Sequence, residues 1–151
     1  MKRILVSLIG LFTLVSTSCA QTHKEDNKEE SSVIQMNKQM FIEQIFDYTT
    51  GSKEWKYRGK KPAVIDFYAT WCGPCRTVAP ILKDMAKEYG DSIIIYKVDT
   101  DKEKELSMAM GVRSLPTIVF IPLNDQPQVI VGAPDKATFR RAIDEVLLNK
   151  K

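Results

Sequence analysis

Residues 63–80 read AVIDFYATWCGPCRTVAP: an apolar run, two cysteines three positions apart, and the opening of a helical pattern. Ala63 to Ala69 is apolar except for Asp66, which is the composition of a strand buried on both faces. From about Cys72 to Tyr89 the spacing predicts a helix, ended by Gly90. Cys72 therefore falls where a buried strand gives way to a helix N-terminus. The pair of sulfurs at that junction can be a metal clip, a structural staple or a working thiol couple.

Counting ligands and loop length separates these. The chain has three cysteines and one histidine. A zinc site takes about four ligands, and one Cys-x-x-Cys supplies only half of them. A structural disulfide stabilises by closing a long loop, and a bridge across two residues closes almost none. The same spacing suits redox exchange, because two sulfurs one helical turn apart can form and break a bond with little backbone motion. Unpaired N–H groups and the positive end of the helix favour the thiolate on Cys72. A free thiol with pKa about 8.5 is roughly 3% ionised at pH 7, and a pKa near 7 raises that to about half. Cys72 is expected to be the more exposed, attacking sulfur. Cys75, one turn in, is expected to be more buried and to resolve the mixed disulfide. Pro74 is tolerated in the first helical turn and stiffens it.

Outward from this stretch, VIQM at 33–36 is a strand candidate, and Asn37 offers a cap for a helix carrying Met40, Phe41, Ile45 and Phe46. Residues 49–62 read as a loop with one helical turn. A second buried strand is expected over Ser92 to Val98, followed by a short helix from Asp101 to Met110 that Gly111 stops. Thr117–Ile121 and Gln128–Val131 form a hairpin, and a helix over Asp135–Asn149 closes the chain. Strand and helix alternate three times before the hairpin. A three-layer α/β/α sandwich with a mixed central sheet satisfies that order.

The N-terminal end has a separate character. Lys2 and Arg3 precede a twelve-residue apolar run, Ile4–Val15, and then STSCAQ, the layout of a secretory signal peptide over residues 1–20. The run is well short of the roughly 20 residues that span a membrane. Two processing routes fit: cleavage after Ala20, or cleavage before Cys19 with lipid attached to that cysteine, since STSC resembles a bacterial lipoprotein box. Residues 21–32 (QTHKEDNKEESS) contain no apolar residue and read as a disordered polar tether holding His23. The domain is expected over 33–151. The net charge of +3 falls to +1 without Lys2 and Arg3, so no basic face for nucleic acid is implied.

WCGPC at 71–75, preceded by DFYAT, followed by Ala79-Pro80 and joined by Ser114-Leu115-Pro116-Thr117, resembles the thioredoxin family over about Val33 to Leu148. The resemblance implies the thioredoxin fold and a catalytic Cys72/Cys75 dithiol. It implies a cis bond at Pro116 beside the cysteines, although a trans proline ahead of a strand is the commoner occurrence. Asp66 matches an aspartate that takes the proton of the second cysteine, and Lys97 a lysine near it. Read without the family, Asp66 is either edge-exposed or bonded to a neighbouring turn, or else a buried carboxyl with a raised pKa, and Lys97 is a solvated strand end. Trp71, Gly73, Pro74, Leu115, Pro116 and Gly132 are the implied substrate-contacting residues. Tyr68 stands where the family commonly has Trp.

The Gly73-Pro74 pair resembles reducing members of the family; oxidising members usually carry histidine there. The expected function is reduction of protein disulfides outside the cytoplasm by a monomer recharged from an inner-membrane thiol electron donor. No metal and no cofactor is expected, and membrane contact only through a lipidated Cys19. A disulfide oxidase or isomerase and a cytochrome-maturation thiol reductase are the alternatives within the same chemistry. A docking module without turnover is the alternative outside it.

Overall fold

A computed structural model describes residues 32–51 and 54–150 of the chain. The expected signal peptide and, apart from Ser32, the expected tether lie outside the described residues, Cys19 and His23 with them. The strands are β1 (Ile34–Gln35), β2 (Ala63–Tyr68), β3 (Ile94–Asp99), β4 (Thr117–Ile121) and β5 (Gln128–Val131). They form one sheet in the order β1-β3-β2-β4-β5. The first three are mutually parallel; β4 runs antiparallel to β2 and β5 antiparallel to β4.

The helices are α1 (Lys38–Gln44), α2 (Gly73–Tyr89), α3 (Lys104–Ala109) and α4 (Lys136–Ala142). Alternation along the strands sends side chains to two separate cores. Val64, Ile95, Ile118 and Phe120 face Val78, Leu82 and Met85 of α2 and Phe139 of α4. Ala63, Ile65, Phe67, Tyr96, Val98, Val119 and Ile121 face Phe41 of α1, Ile45 at its C-terminal end and Leu106 of α3. The result is the three-layer sandwich and mixed sheet that the element order demands. Each of the fully buried Val, Leu, Ile, Phe and Met side chains contributes about 1.5–3 kcal/mol of transfer free energy.

The two helices on the second face are short, and among the described residues they leave β5 uncovered. Val129 and Val131 stand opposite Val119 and Thr117, on that face, yet are 56% and 63% exposed.

Local chemistry sets the element ends. Asn37 caps α1 by accepting the Met40 N–H at 2.9 Å. Gly111, with φ +68°, takes the left-handed conformation that ends α3. Three boundaries differ from the expected ones. The third helix begins at Lys104 rather than Asp101, because the buried Asp99 carboxylate accepts the Asp101 N–H at 3.1 Å and holds a turn there. A 3₁₀ turn over Gly90–Ser92 delays β3 to Ile94. Regular α-helix stops at Ala142, and the chain continues as a π turn, Ile143–Leu147, that keeps Ile143 and Leu147 in the core.

Candidate active site

β2 ends at Tyr68, and four residues later Cys72 caps α2. Its Sγ accepts the Cys75 N–H at 3.2 Å, the donor that a first helical turn leaves unpaired. Pro74 occupies the first turn and offers no N–H of its own. Cys72 and Cys75 are joined by a disulfide with Cα atoms 5.3 Å apart.

The expected contrast in exposure between the two cysteines is absent, since each is 4% exposed. Both sulfurs are enclosed by Ala69, Tyr68 and Leu115. Access still differs. A groove of about 470 Å³ is lined by Cys72 and not by Cys75.

The groove brings together Trp71, Cys72, Gly73, Pro74 and Leu115 among the expected residues. Leu115 precedes Pro116 across a cis peptide bond. Pro116 is buried behind the groove, and its carbonyl accepts the Gly132 N–H at 2.8 Å. Gly132 has φ +101°, and a Cβ built there would meet nothing within 4 Å among the described residues. Backbone conformation inside this chain therefore accounts for the glycine without crowding.

Asp66 and Lys97 are register partners on β2 and β3, on the face that carries α2. Asp66 is buried, its Oδ1 has no hydrogen-bond partner among the described residues, and burial pushes its carboxyl up to about 7, opposed by the Lys97 charge. The edge-exposed alternative for Asp66 is thereby excluded. Lys97 stands 5.8 Å over the Tyr68 ring. The Tyr68 hydroxyl donates to Gln35 at 3.1 Å, the polar partner that a phenol in this place requires. Neither Asp66 nor Lys97 lines the groove.

Three groove residues were not singled out from the sequence, Thr100, Val112 and Arg113, and Ser114 entered only as part of the motif around Pro116. Asp101, also unmarked as a site residue, acts on the rim. Trp71 is 69% exposed, yet its indole N–H donates to Asp101 Oδ2 at 2.9 Å. The turn held by Asp99 thus positions the aromatic rim of the cysteine site. Nothing local marks this bond, since it joins residues 30 positions apart.

The chemistry available is thiol–disulfide exchange: a sulfur at a helix N-terminus, reachable from a groove, with a second sulfur one turn behind it. The family model described as Thioredoxin matches residues 32–145, well over half of the chain. The chain belongs to the thioredoxin family. It is 48% identical over 112 residues to the thioredoxin of Borreliella burgdorferi, covering 74% of this chain and 95% of that protein. It is 34% identical over 107 residues to the chloroplastic M-type thioredoxin of Spinacia oleracea, covering 70% of this chain and 59% of that protein. Chloroplastic thioredoxin z superposes with a TM-score of 0.64 at 26% identity, covering 76% of this chain and 93% of that one. A Malassezia sympodialis thioredoxin superposes with 0.61 at 31% identity, covering 76% and 90%. The chain is thus a thiol–disulfide oxidoreductase of this family, with a close Cys72–Cys75 pair.

Proposed function

We propose that this thioredoxin reduces protein disulfides outside the cytoplasm, with Cys72 as nucleophile and Cys75 as resolving thiol. The observation that carries the assignment of roles is that Cys72 alone of the pair lines the groove while its Sγ receives a helix N-terminal N–H. In the reduced protein that N–H favours the thiolate. Cys72 Sγ attacks one sulfur of the client disulfide and expels the other as a thiolate, forming a mixed disulfide. Cys75 then loses its proton and attacks Cys72 Sγ, releasing the second client thiolate and closing the Cys72–Cys75 bond. Two electrons pass from the protein dithiol to the client. Asp66, with a pKa near neutrality and on the face that carries α2, is the group we assign to accept the Cys75 proton.

The compartment rests on the signal-peptide layout of residues 1–20. The direction rests on the Gly73-Pro74 pair. A reductase in an oxidising compartment must be recharged, so an inner-membrane thiol donor and a monomeric working form belong to the same proposal. The reduction potential tests direction: a value near −270 mV supports a reductase, and one near −120 mV, the range of strong periplasmic oxidants, refutes it. Cys75→Ser is expected to accumulate client proteins covalently on Cys72, and Cys72→Ser to abolish disulfide reduction. Full activity of Cys72→Ser would overturn the roles, and an inactive wild type would favour a docking module. Mass spectrometry of the mature N-terminus, read after export, distinguishes cleavage at Ala20 from lipid on Cys19.

A further inference from the structure

A second hollow of about 530 Å³ lies beside the disulfide groove, floored by Val119, Val129 and Val131 and walled by Trp55 and Met110. It exists because α1 and α3 do not reach β5, and because the 54–58 segment leans Trp55 toward the uncovered valines. Trp55 is fixed there against Phe46, ring centroids 4.9 Å apart. The two hollows adjoin, with Arg113 and Ser114 lining both.

We propose that this shelf is a second client subsite, taking an apolar side chain of the polypeptide whose disulfide sits over Cys72. The proposal rests on the reductase reading, since it extends the path of the same client. Adjacency to the Cys72 groove is the reason to assign the client rather than another occupant. A chain lying in the Cys72 groove that runs on past Arg113 and Ser114 arrives on the shelf. One indole and a few aliphatic side chains also fall far short of the roughly 800 Å² per partner that a stable dimer uses. The hollow instead has the volume of a ligand cleft, roomy enough for an apolar side chain and the backbone that carries it, and its floor is apolar. Trp55, Val129 and Val131 thereby set which clients are reduced fastest while taking no part in the sulfur chemistry.

The test uses the full chain, reduced beforehand, in single turnover against ten-residue Gly/Ser peptides. Each peptide carries one cysteine as its mixed disulfide with thionitrobenzoate. A single leucine is walked from two to six residues on either side of the cysteine. Cys72 attacks the peptide sulfur and expels the coloured thionitrobenzoate, and Cys75 then frees the peptide thiol. Leucine at one or two adjacent positions is expected to raise the second-order rate constant about fivefold over the leucine-free peptide, as partial burial of one such side chain supplies.

Val129→Lys combined with Val131→Lys, on an exposed edge strand that tolerates lysine, is expected to abolish that gain and leave the leucine-free rate unchanged. Should the double lysine protein lose the leucine-free rate as well, Val129→Thr with Val131→Thr keeps the strand shape and is expected to remove about half of the gain. A wild-type protein that reduces every peptide at one rate, or a threonine pair that keeps the full gain, overturns the subsite and leaves the reductase reading intact. Failure to reduce the leucine-free peptide overturns the reductase reading and the subsite with it. Sedimentation showing a wild-type dimer that the lysine pair dissolves assigns the shelf to a second copy and overturns the proposal.

Discussion

Replacing Asp66 with asparagine should stabilise the oxidised protein at pH 8 and change it little at pH 4. In the fold the Asp66 carboxyl titrates at about 7 against an ordinary 3.8, because burial outweighs the attraction of Lys97. The folded state therefore binds this proton more tightly than the unfolded state. Stability from the group is fully present below pH 4, declines as pH rises through the window from about 4 to 7, and is gone above it. The two values differ by about three, and each pKa unit corresponds to 1.36 kcal/mol, so ionised Asp66 costs about 4 kcal/mol at pH 8. The same linkage gives about 2 kcal/mol at pH 5 and under about 1 kcal/mol at pH 4. Asparagine keeps the shape and has no charge to bury, although its amide N–H groups still need partners, so the absolute gain is smaller than the pH-dependent part. Urea unfolding of wild type and Asp66→Asn between pH 4 and 8, with the disulfide intact, measures the difference directly. A stability difference that stays constant with pH, or that grows toward acid, would refute the reasoning about burial. In the same variant, resolution of the mixed disulfide should slow, with its pH dependence near 7 removed.

Trp71→Phe keeps an aromatic rim and deletes the indole N–H that Asp101 accepts; we expect KM for protein disulfides to rise a few-fold with kcat little changed, read by steady-state kinetics. An equal loss in kcat would place Trp71 in the chemical step. Gly132→Ala forces a side chain into φ +101° with no steric neighbour, so the cost is conformational, about 1–2 kcal/mol by denaturant unfolding. A neutral result would mean that the loop relaxes its angle and releases the bond to Pro116.

Much of this molecule is legible in its sequence because the decisive signals are local. The apolar run before Cys72 declares a two-sided strand, the Cys-x-x-Cys at a helix start declares the chemistry, and Gly90 and Gly111 mark where helices stop. What stayed hidden depends on residues far apart in the chain. Asp101 reads as the first residue of a helix, and only its place beside Trp71 shows it supporting the rim. Arg113 and Ser114 look like the approach to Pro116 and emerge as a wall shared by two hollows. The equal enclosure of Cys72 and Cys75 was equally out of reach, because Leu115 covers both sulfurs from 40 positions away. Trp55 lies in a stretch whose composition says loop, and Val129 and Val131 alternate as strand residues should. Their exposure follows from the shortness of α1 and α3, a property of helix length and not of the valines.

Strand direction has a practical consequence. β1 runs parallel to β2, and the chain enters β1 at its N-terminal end, whereas Cys72 follows the C-terminal end of β2. The chain thus joins the domain at the pole of the sheet opposite the disulfide and at the edge opposite β5. A bead, electrode or affinity handle attached upstream of Ser32 would leave the groove at Cys72 open to solution, so immobilisation through that end should preserve turnover where attachment through β5 would obstruct it.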